Sequence, residues 1–244
     1  MATLDGKRAV VTGGSRGIGR AIVQRLARDG ASVVFSYHQN EAAADEVVRE
    51  AKGEVFAVRA DQGRTADLKR LFEEADQRLG GLDILVNNAA INPTAGILDV
   101  TEDDYDRVMA VNAKGPFFAV QHAAKRLGDG GRIINISTLN TALPAPGVAL
   151  YSASKAALEQ FTAVAARELG SRGITVNCVS PGATDTDSLR ATNPPEAIEQ
   201  TVAFTALQRL GQPADIANVV AFLAGPDAQW ITGQNLRATG GLLI

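Results

Sequence analysis

The chain is poor in the residues that build disulfides, metal sites and membrane anchors. It has one cysteine, Cys178, and two histidines, His38 and His122. A single cysteine forms no internal disulfide, so a reducing cytoplasm is the expected location. Two isolated histidines without ligand spacing argue against a metal site. No apolar stretch approaches the ~20 residues that a membrane-spanning helix requires. The opening Met1-Ala2-Thr3-Leu4-Asp5-Gly6-Lys7 lacks the pattern of a signal peptide. There is no run of Lys or Arg, and the net charge is −3, so neither nucleic acid nor an anionic membrane is an expected partner.

What is present fits one α/β domain: 244 residues, 45% apolar and 21% charged, enough to bury a full core. Short β-branched runs at 8–12, 32–37, 54–59, 83–86, 132–137, 175–179 and 234–237 read as strands. Most are continuously apolar, as strands covered on both faces are. Helical patterns at 19–28, 42–51, 66–79, 113–127, 152–169 and 213–223 fill the gaps. Right-handed crossovers then give a doubly wound sheet of about seven parallel strands. Residues 183–210 break this rhythm with Asn193-Pro194-Pro195. A long irregular segment after a strand reads as a substrate lid, or more plainly as a surface excursion.

The first strand runs into Thr12-Gly13-Gly14-Ser15-Arg16-Gly17-Ile18-Gly19, where a helix begins. Glycines let the backbone approach a pyrophosphate, and the helix N-terminus offers free N–H groups and a positive dipole end. Gly13, Ser15, Arg16, Gly17, Ile18 and Gly19 are therefore candidate cofactor residues. NAD enzymes of this architecture place a carboxylate after strand two for the ribose 2′-hydroxyl. Here Phe35-Ser36-Tyr37-His38-Gln39-Asn40 carries none. Its absence, with Arg16, Tyr37 and His38 nearby, leaves room for a 2′-phosphate and favours NADP(H). Whether Arg16 contacts phosphate or only shapes the turn stays open.

The order and spacing of these and later motifs resemble the classical short-chain dehydrogenase/reductases over nearly the whole chain, and in particular the carbonyl reductases of the 3-oxoacyl-carrier-protein reductase type. The resemblance rests on the T-G-x-x-x-G-x-G turn, Asp61-Gln62, Asn87-Asn88-Ala89-Ala90, Val111-Asn112-Ala113, the Y-x-x-x-K pair Tyr151 and Lys155, Pro181-Gly182 with Thr184 and Thr186, and the closing Ile231-Thr232-Gly233-Gln234. It implies that Asp61 and Gln62 meet adenine, that Asn88 and Ala89 border the cofactor, and that Pro181, Gly182, Thr184 and Thr186 clamp nicotinamide. It implies catalytic roles for Asn112, Thr138, Tyr151 and Lys155. Two departures stand out. Ala90 replaces a usual glycine, so its backbone is expected in an ordinary region. The catalytic hydroxyl, thirteen positions before the Tyr, falls on Thr138 with Ser137 beside it. Successive strand side chains face opposite ways, so one of the two serves, and Thr138 is the choice by position.

Tyr151 and Lys155, four apart, share a helix face. The resemblance casts Tyr151 as proton donor in reduction, its pKa lowered by the ammonium and the oxidised nicotinamide. Lys155 would hold the nicotinamide ribose, Thr138 would bond the substrate oxygen, and Asn112 would hold a water chain. Ile91, Asn140, Leu143, Val148 and Leu189 line the expected pocket, which is mostly apolar and suits a neutral ketone or secondary alcohol. Cys178, between valines, reads as core rather than nucleophile, and His122 as structural. Small residues on the Tyr-bearing helix permit close subunit contact, and related enzymes are commonly tetrameric, so a homotetramer is expected. An acyl carrier remains an open partner, with Lys125, Arg126 and Arg172 as a basic rim beside Asp129. The competing class is a non-catalytic NADP(H)-binding regulator.

Overall fold

Continuous apolar runs become parallel strands in the computed structural model, which describes residues 3–243. In chain order the elements are β1 (Arg8–Val11), α1 (Gly17–Arg28), β2 (Ser32–Tyr37), α2 (Glu41–Glu50), β3 (Val55–Arg59), α3 (Thr65–Leu79), β4 (Leu82–Asn87), α4 (Glu102–Met109), a π-turn (Ala110–Lys114), α5 (Gly115–Ala124), β5 (Leu127–Ile136), α6 (Ala149–Leu169), β6 (Thr175–Pro181), α7 (Asp187–Thr192), α8 (Pro195–Phe204), α9 (Pro213–Ala224) and β7 (Asn235–Ala238). The sheet order is β3-β2-β1-β4-β5-β6-β7, every pair parallel. This is a single Rossmann-type α/β domain.

The pleat sends alternate residues of each strand to separate cores. Ala9, Val11, Val33, Phe35 and Val86 pack beneath α1, α2 and α9. Val10, Val34, Leu85 and Ile133 pack beneath α3, α5 and α6 on the other face. Both neighbours of β1 are reached by crossovers in opposite directions, so a crevice opens beyond the carboxyl ends of β1 and β4. Ligands bind at such switch points in open α/β sheets.

Three stretches differ from the sequence expectation. The helix expected over 113–127 stops at Ala124, and Leu127 instead opens β5, pairing with Leu82 before the register slips to Ile84 against Arg132. The glycines at 128, 130 and 131 make that irregularity tolerable. The helix α4 was not foreseen. Thr101 caps it in a capping box with Asp104, and Glu102, Asp103 and Asp104 favour its positive end. Finally, α6 begins at Ala149 rather than Ser152, which puts Tyr151 in the first helical turn.

No helix among the described residues is long and apolar enough to cross a membrane. None of their His, Cys, Asp and Glu side chains form a metal-holding group. Gln208 is the only non-glycine among them with a left-handed backbone, so Ala90 sits in an ordinary region as expected.

Candidate active site

The turn after β1 is held from three sides. The Gly14 N–H donates to the Ser36 carbonyl at 2.9 Å, and the Gly13 N–H to Ser36 Oγ at 3.1 Å. Thr12 Oγ1 accepts from the N–H groups of Asn88 and Ala89 at 3.0 and 3.1 Å. Asn88 Nδ2 donates to the Thr12 and Gly13 carbonyls at 3.0 and 2.9 Å. Gly13 and Gly17 have left-handed backbones, with φ of +69° and +54°. A Cβ on Gly19 would lie 2.0 Å from the Gly13 carbonyl oxygen and 2.5 Å from Asn88 Nδ2. No other residue fits there. No side chain caps α1, so its first-turn N–H groups remain open to a phosphate. Arg16, at the N-cap, is exposed beside them.

Along the rim of the β2–β3 edge, Asp61 accepts from Arg107 at 3.0 Å and lies 3.7 Å from His38 Nε2. Burial works to raise the Asp61 carboxyl, but the bonds from Arg107 and the Gly63 N–H outweigh it, so it lies below its usual value. His38 is half-exposed, whereas the Tyr37 ring lies in the core with Phe35 and Val47. Burial, then the charge of Glu41, raises the Tyr37 phenol. Gln62 is buried, with both side-chain amide atoms unpartnered.

The other wall is built by α6 against the end of β5. The Tyr151 phenol faces the Thr138 side chain, which works to lower its pKa. Thr138 in turn caps the short turn Leu139–Thr141, accepting from the Asn140 N–H at 3.3 Å. Ser137 faces away, donating to Glu159 Oε1 at 2.5 Å. Of the two neighbouring hydroxyls, only Thr138 meets the tyrosine. One turn along α6, Lys155 is fully buried and donates to the Ile136 carbonyl at 2.8 Å, its Nζ 5.9 Å from the centre of the Tyr151 ring. Asn112 lies on the π-turn and exchanges two bonds with the Ile91 backbone, at 2.8 and 2.9 Å, while its Nδ2 also reaches Ser154 Oγ at 3.1 Å. The extra π-helical residue turns Asn112 inward from an otherwise continuous helix. Ser154 donates to the Tyr151 carbonyl at 2.7 Å, tying Asn112 to the start of α6.

The ionisation of this pair differs from the sequence expectation. Burial raises the Tyr151 phenol, and the neighbouring Thr138 hydroxyl offsets only part of that. Burial also lowers Lys155 to about 8. One Lys155 N–H donates to the Ile136 carbonyl, and without a cofactor burial leaves Tyr151 a neutral phenol. Cys178 is buried and pushed up to about 12, the state of an inert core thiol.

Pro181 ends β6, and Gly182 lets Thr239 approach, since a Cβ there would meet the Thr239 Cα at 2.9 Å. Thr184 bridges to Gly211, closing the base of the 184–211 segment. Thr186 caps α7 and lies over the glycine turn, 3.3 Å from where a Gly17 Cβ would sit. Asn140 joins Thr138 to Leu143, accepting from the first hydroxyl at 3.2 Å and donating to the second carbonyl at 3.3 Å. Val148 directly precedes α6, and Ile91 is fixed by Asn112. Leu189 lies in the first turn of α7, its N–H donating to Thr186 Oγ1 at 3.2 Å. The basic trio lies elsewhere. Arg172 bonds the Ala124 and Leu127 carbonyls, and Arg126 pairs with Asp76. These residues stand at the amino end of β5, roughly 25 Å along the strand from Thr138. The reading of the residues missed Ser36, Ser154 and Glu159. Ser36 shows only as a polar residue near the end of β2, and Ser154 and Glu159 only as ordinary polar residues of α6.

Residues 13–243 match the family model described as enoyl-(acyl carrier protein) reductase. An uncharacterized oxidoreductase of Methylorubrum extorquens is 47% identical over 247 residues, covering 99% of this chain and 100% of the relative. A short chain dehydrogenase from Burkholderia cenocepacia J2315, solved in complex with NADP, aligns with a TM-score of 0.94 at 42% identity, over 98% of this chain and 99% of that one. The angucycline C-6 ketoreductase LanV with bound NADP aligns at 0.93 and 45% identity, over 99% and 97%. With the glycine turn and the Tyr151–Lys155 helix in the places described, the chain belongs to the classical short-chain dehydrogenase/reductases, a family of oxidoreductases.

Proposed function

We propose that this chain is an NADP(H)-dependent reductase of ketones, able to oxidise the corresponding secondary alcohols. The observation that carries this reading is that Tyr151 faces Thr138 at the carboxyl edge of β5, with Lys155 Nζ 5.9 Å from the Tyr151 ring, in the crevice where the uncapped N-terminus of α1 opens. Two hydroxyls side by side suit one carbonyl oxygen: one donates a hydrogen bond as charge develops, and the other delivers the proton. NADP(H) supplies the hydride when bound. The residues that would hold it are the turn from Gly13 to Gly19, Asp61 and Gln62, Asn88 and Ala89, and Lys155 with the Pro181–Thr186 segment. Their fit is physical: a glycine cradle that a Cβ would fill, with open N–H groups at its floor.

The choice of NADP(H) over NAD(H) rests on the lack of a carboxylate at residues 35–40 and on exposed Arg16, and solved relatives carry NADP. Burial that keeps Tyr151 protonated suits the reducing direction, because a neutral phenol is the proton donor. One solved relative is itself an angucycline ketoreductase, in keeping with a carbonyl substrate. The 183–210 segment is the lid over this substrate. Exposed Tyr105, Phe117 and Val164 on α4, α5 and α6 give one apolar face for subunit contact, in keeping with a homotetramer. Light scattering that returns a monomer mass at micromolar concentration removes that part.

The test is NADPH consumption across a panel of ketones and β-keto thioesters, with NADH and Tyr151→Phe as controls. The reading predicts turnover with NADPH, weaker turnover with NADH, and loss in the variant. Tight NADPH binding with no turnover on any carbonyl supports a non-catalytic sensor instead.

A further inference from the structure

Three successive turns of one face of α6 grip three successive positions at the end of β5. Tyr151 meets Thr138, and Lys155 donates to the Ile136 carbonyl. Glu159, one turn further, takes the residue between them and one beyond. Its Oε1 accepts from Ser137 Oγ at 2.5 Å and from Thr141 Oγ1 at 2.8 Å, with Ser180 Oγ 3.4 Å away. Proton accounting fixes the direction of these bonds. An ionised carboxylate only accepts, so Ser137 and Thr141 both donate to it. Thr141 also lies 3.0 Å from the Thr138 carbonyl but has one proton for the two acceptors, and the charged one binds it more strongly. Ser180 donates its proton to Asn235 Oδ1 at 2.7 Å.

The consequence is that Thr138 is clamped on both sides in sequence. Its predecessor Ser137 and its near successor Thr141 are tied to one carboxylate oxygen on the helix that carries Tyr151. Thr138 lies just past the last strand residue, where no ladder bond holds its side chain in register with α6. Two charge-assisted hydrogen bonds at this point resist the movement that would separate the Thr138 and Tyr151 hydroxyls. A purely packed contact would not set their spacing to a fraction of an ångström, which donation to a single oxygen requires.

We propose that Glu159 is a positioning residue that sets the distance between the Thr138 and Tyr151 hydroxyls. This rests on the reductase reading above for its kinetic consequence, but not for its structural one. The carboxylate touches no reacting atom. It acts through Ser137 and Thr141, which need an acceptor oxygen at this place, and its charge strengthens both bonds.

Two measurements separate this from a merely structural role and from failure of the reductase reading. In the first, kcat, KM and NADPH affinity are measured with 9,10-phenanthrenequinone and ethyl acetoacetate as probe carbonyls. Glu159→Ala is expected to lower kcat about 30-fold with NADPH affinity within about twofold, since a displacement near 1 Å can cost ~100-fold. Glu159→Gln keeps an acceptor oxygen and is expected to recover most of kcat. In the second, tyrosine labelled with 13C at Cζ is observed by NMR at neutral pH, Tyr151 being assigned from Tyr151→Phe. Glu159→Ala is expected to move the Tyr151 signal and Glu159→Gln to leave it near its original place. If Glu159→Ala does not fold, the pair Ser137→Ala with Thr141→Val is read in its place, with the same expected displacement. Lower melting temperature with unchanged kcat and an unmoved Tyr151 signal overturns the proposal. So does a Gln variant as impaired as the Ala one. If the wild type turns over neither probe, the reductase reading suffers alone, and the NMR result still decides for or against Glu159.

Discussion

At the carboxyl edge of the sheet, the turn after β1 and the segment after β6 touch through Gly17 and Thr186, yet they are built in opposite ways. Thr12, Ser36 and Asn88 pin the turn through its own backbone, and its glycines leave no space for a methyl group. By contrast, α7 and α8 contain no buried residue, and Phe204 and Leu207 stand 78% and 64% exposed. That segment is clipped at its base by the Thr184–Gly211 bridge and near its end by the Leu207 N–H, which donates to the Gly240 carbonyl at 3.0 Å. A nucleotide's phosphates have the same shape in every turnover, and a rigid backbone cradle recognises them at low entropic cost. A lid over a variable substrate gains from weak packing, because little free energy opposes its opening.

The largest effect that would sharpen this contrast is expected at Gly19. Gly19→Ala forces a methyl into the Gly13 carbonyl and should weaken NADPH binding by about 100-fold or more, read by fluorescence titration. Retained affinity would mean that the turn has slack.

Next is Lys155, whose burial gives it two opposed roles. Its pKa falls from 10.5 to about 8 in the fold, so the unfolded chain binds more protons between those values. The cofactor-free protein should therefore gain stability as pH rises from about 8 to 10.5, while below about 8 the full cost of the buried charge applies. Lys155→Met should abolish turnover yet raise the melting temperature at neutral pH by ~3 °C, equivalent to about 1 kcal/mol for a chain of this size. A lower melting temperature would show that the bond to the Ile136 carbonyl outweighs the desolvation.

Smaller effects belong to the lid. Phe204→Ser with Leu207→Ser should leave the melting temperature within about 1 °C and NADPH affinity within about twofold, because neither side chain is buried. The change should appear in KM across a ketone series. A large stability loss would contradict the contrast between turn and lid. Smallest is Cys178, which should resist a thiol reagent until the protein unfolds, since it is buried and its thiol is raised to about 12.

The strands were legible because both-face burial writes continuous apolar runs, and β2 falls on the residues expected of it. The glycine turn was legible because no other residue meets its backbone demands. By contrast, α4 carried a readable signal in Thr101 and the acids after it, obscured by the lack of apolar periodicity over a helix with one buried residue. The π-turn had none. Asn112 faces inward because Ile91 and Ser154, distant in sequence, hold its amide. Glu159 likewise reads as an ordinary helix carboxylate until folding brings Ser137 and Thr141 to it. The ionisation of Tyr151 in the protein alone was not legible for the same reason. Helical spacing puts Lys155 on its face, but only the packed strand end shows the ammonium turned to Ile136.

The most direct test of the account is transfer of deuterium from NADPH labelled at C4, in each of its two stereoisomers, to the carbonyl carbon of a ketone, by the wild type and by Tyr151→Phe. The account predicts label in the product alcohol from one stereoisomer only. It predicts a rate about 1,000-fold lower in the variant, within the range that general acid catalysis supplies. Binding of NADPH with no label in any product, or equal transfer by the variant, would contradict it.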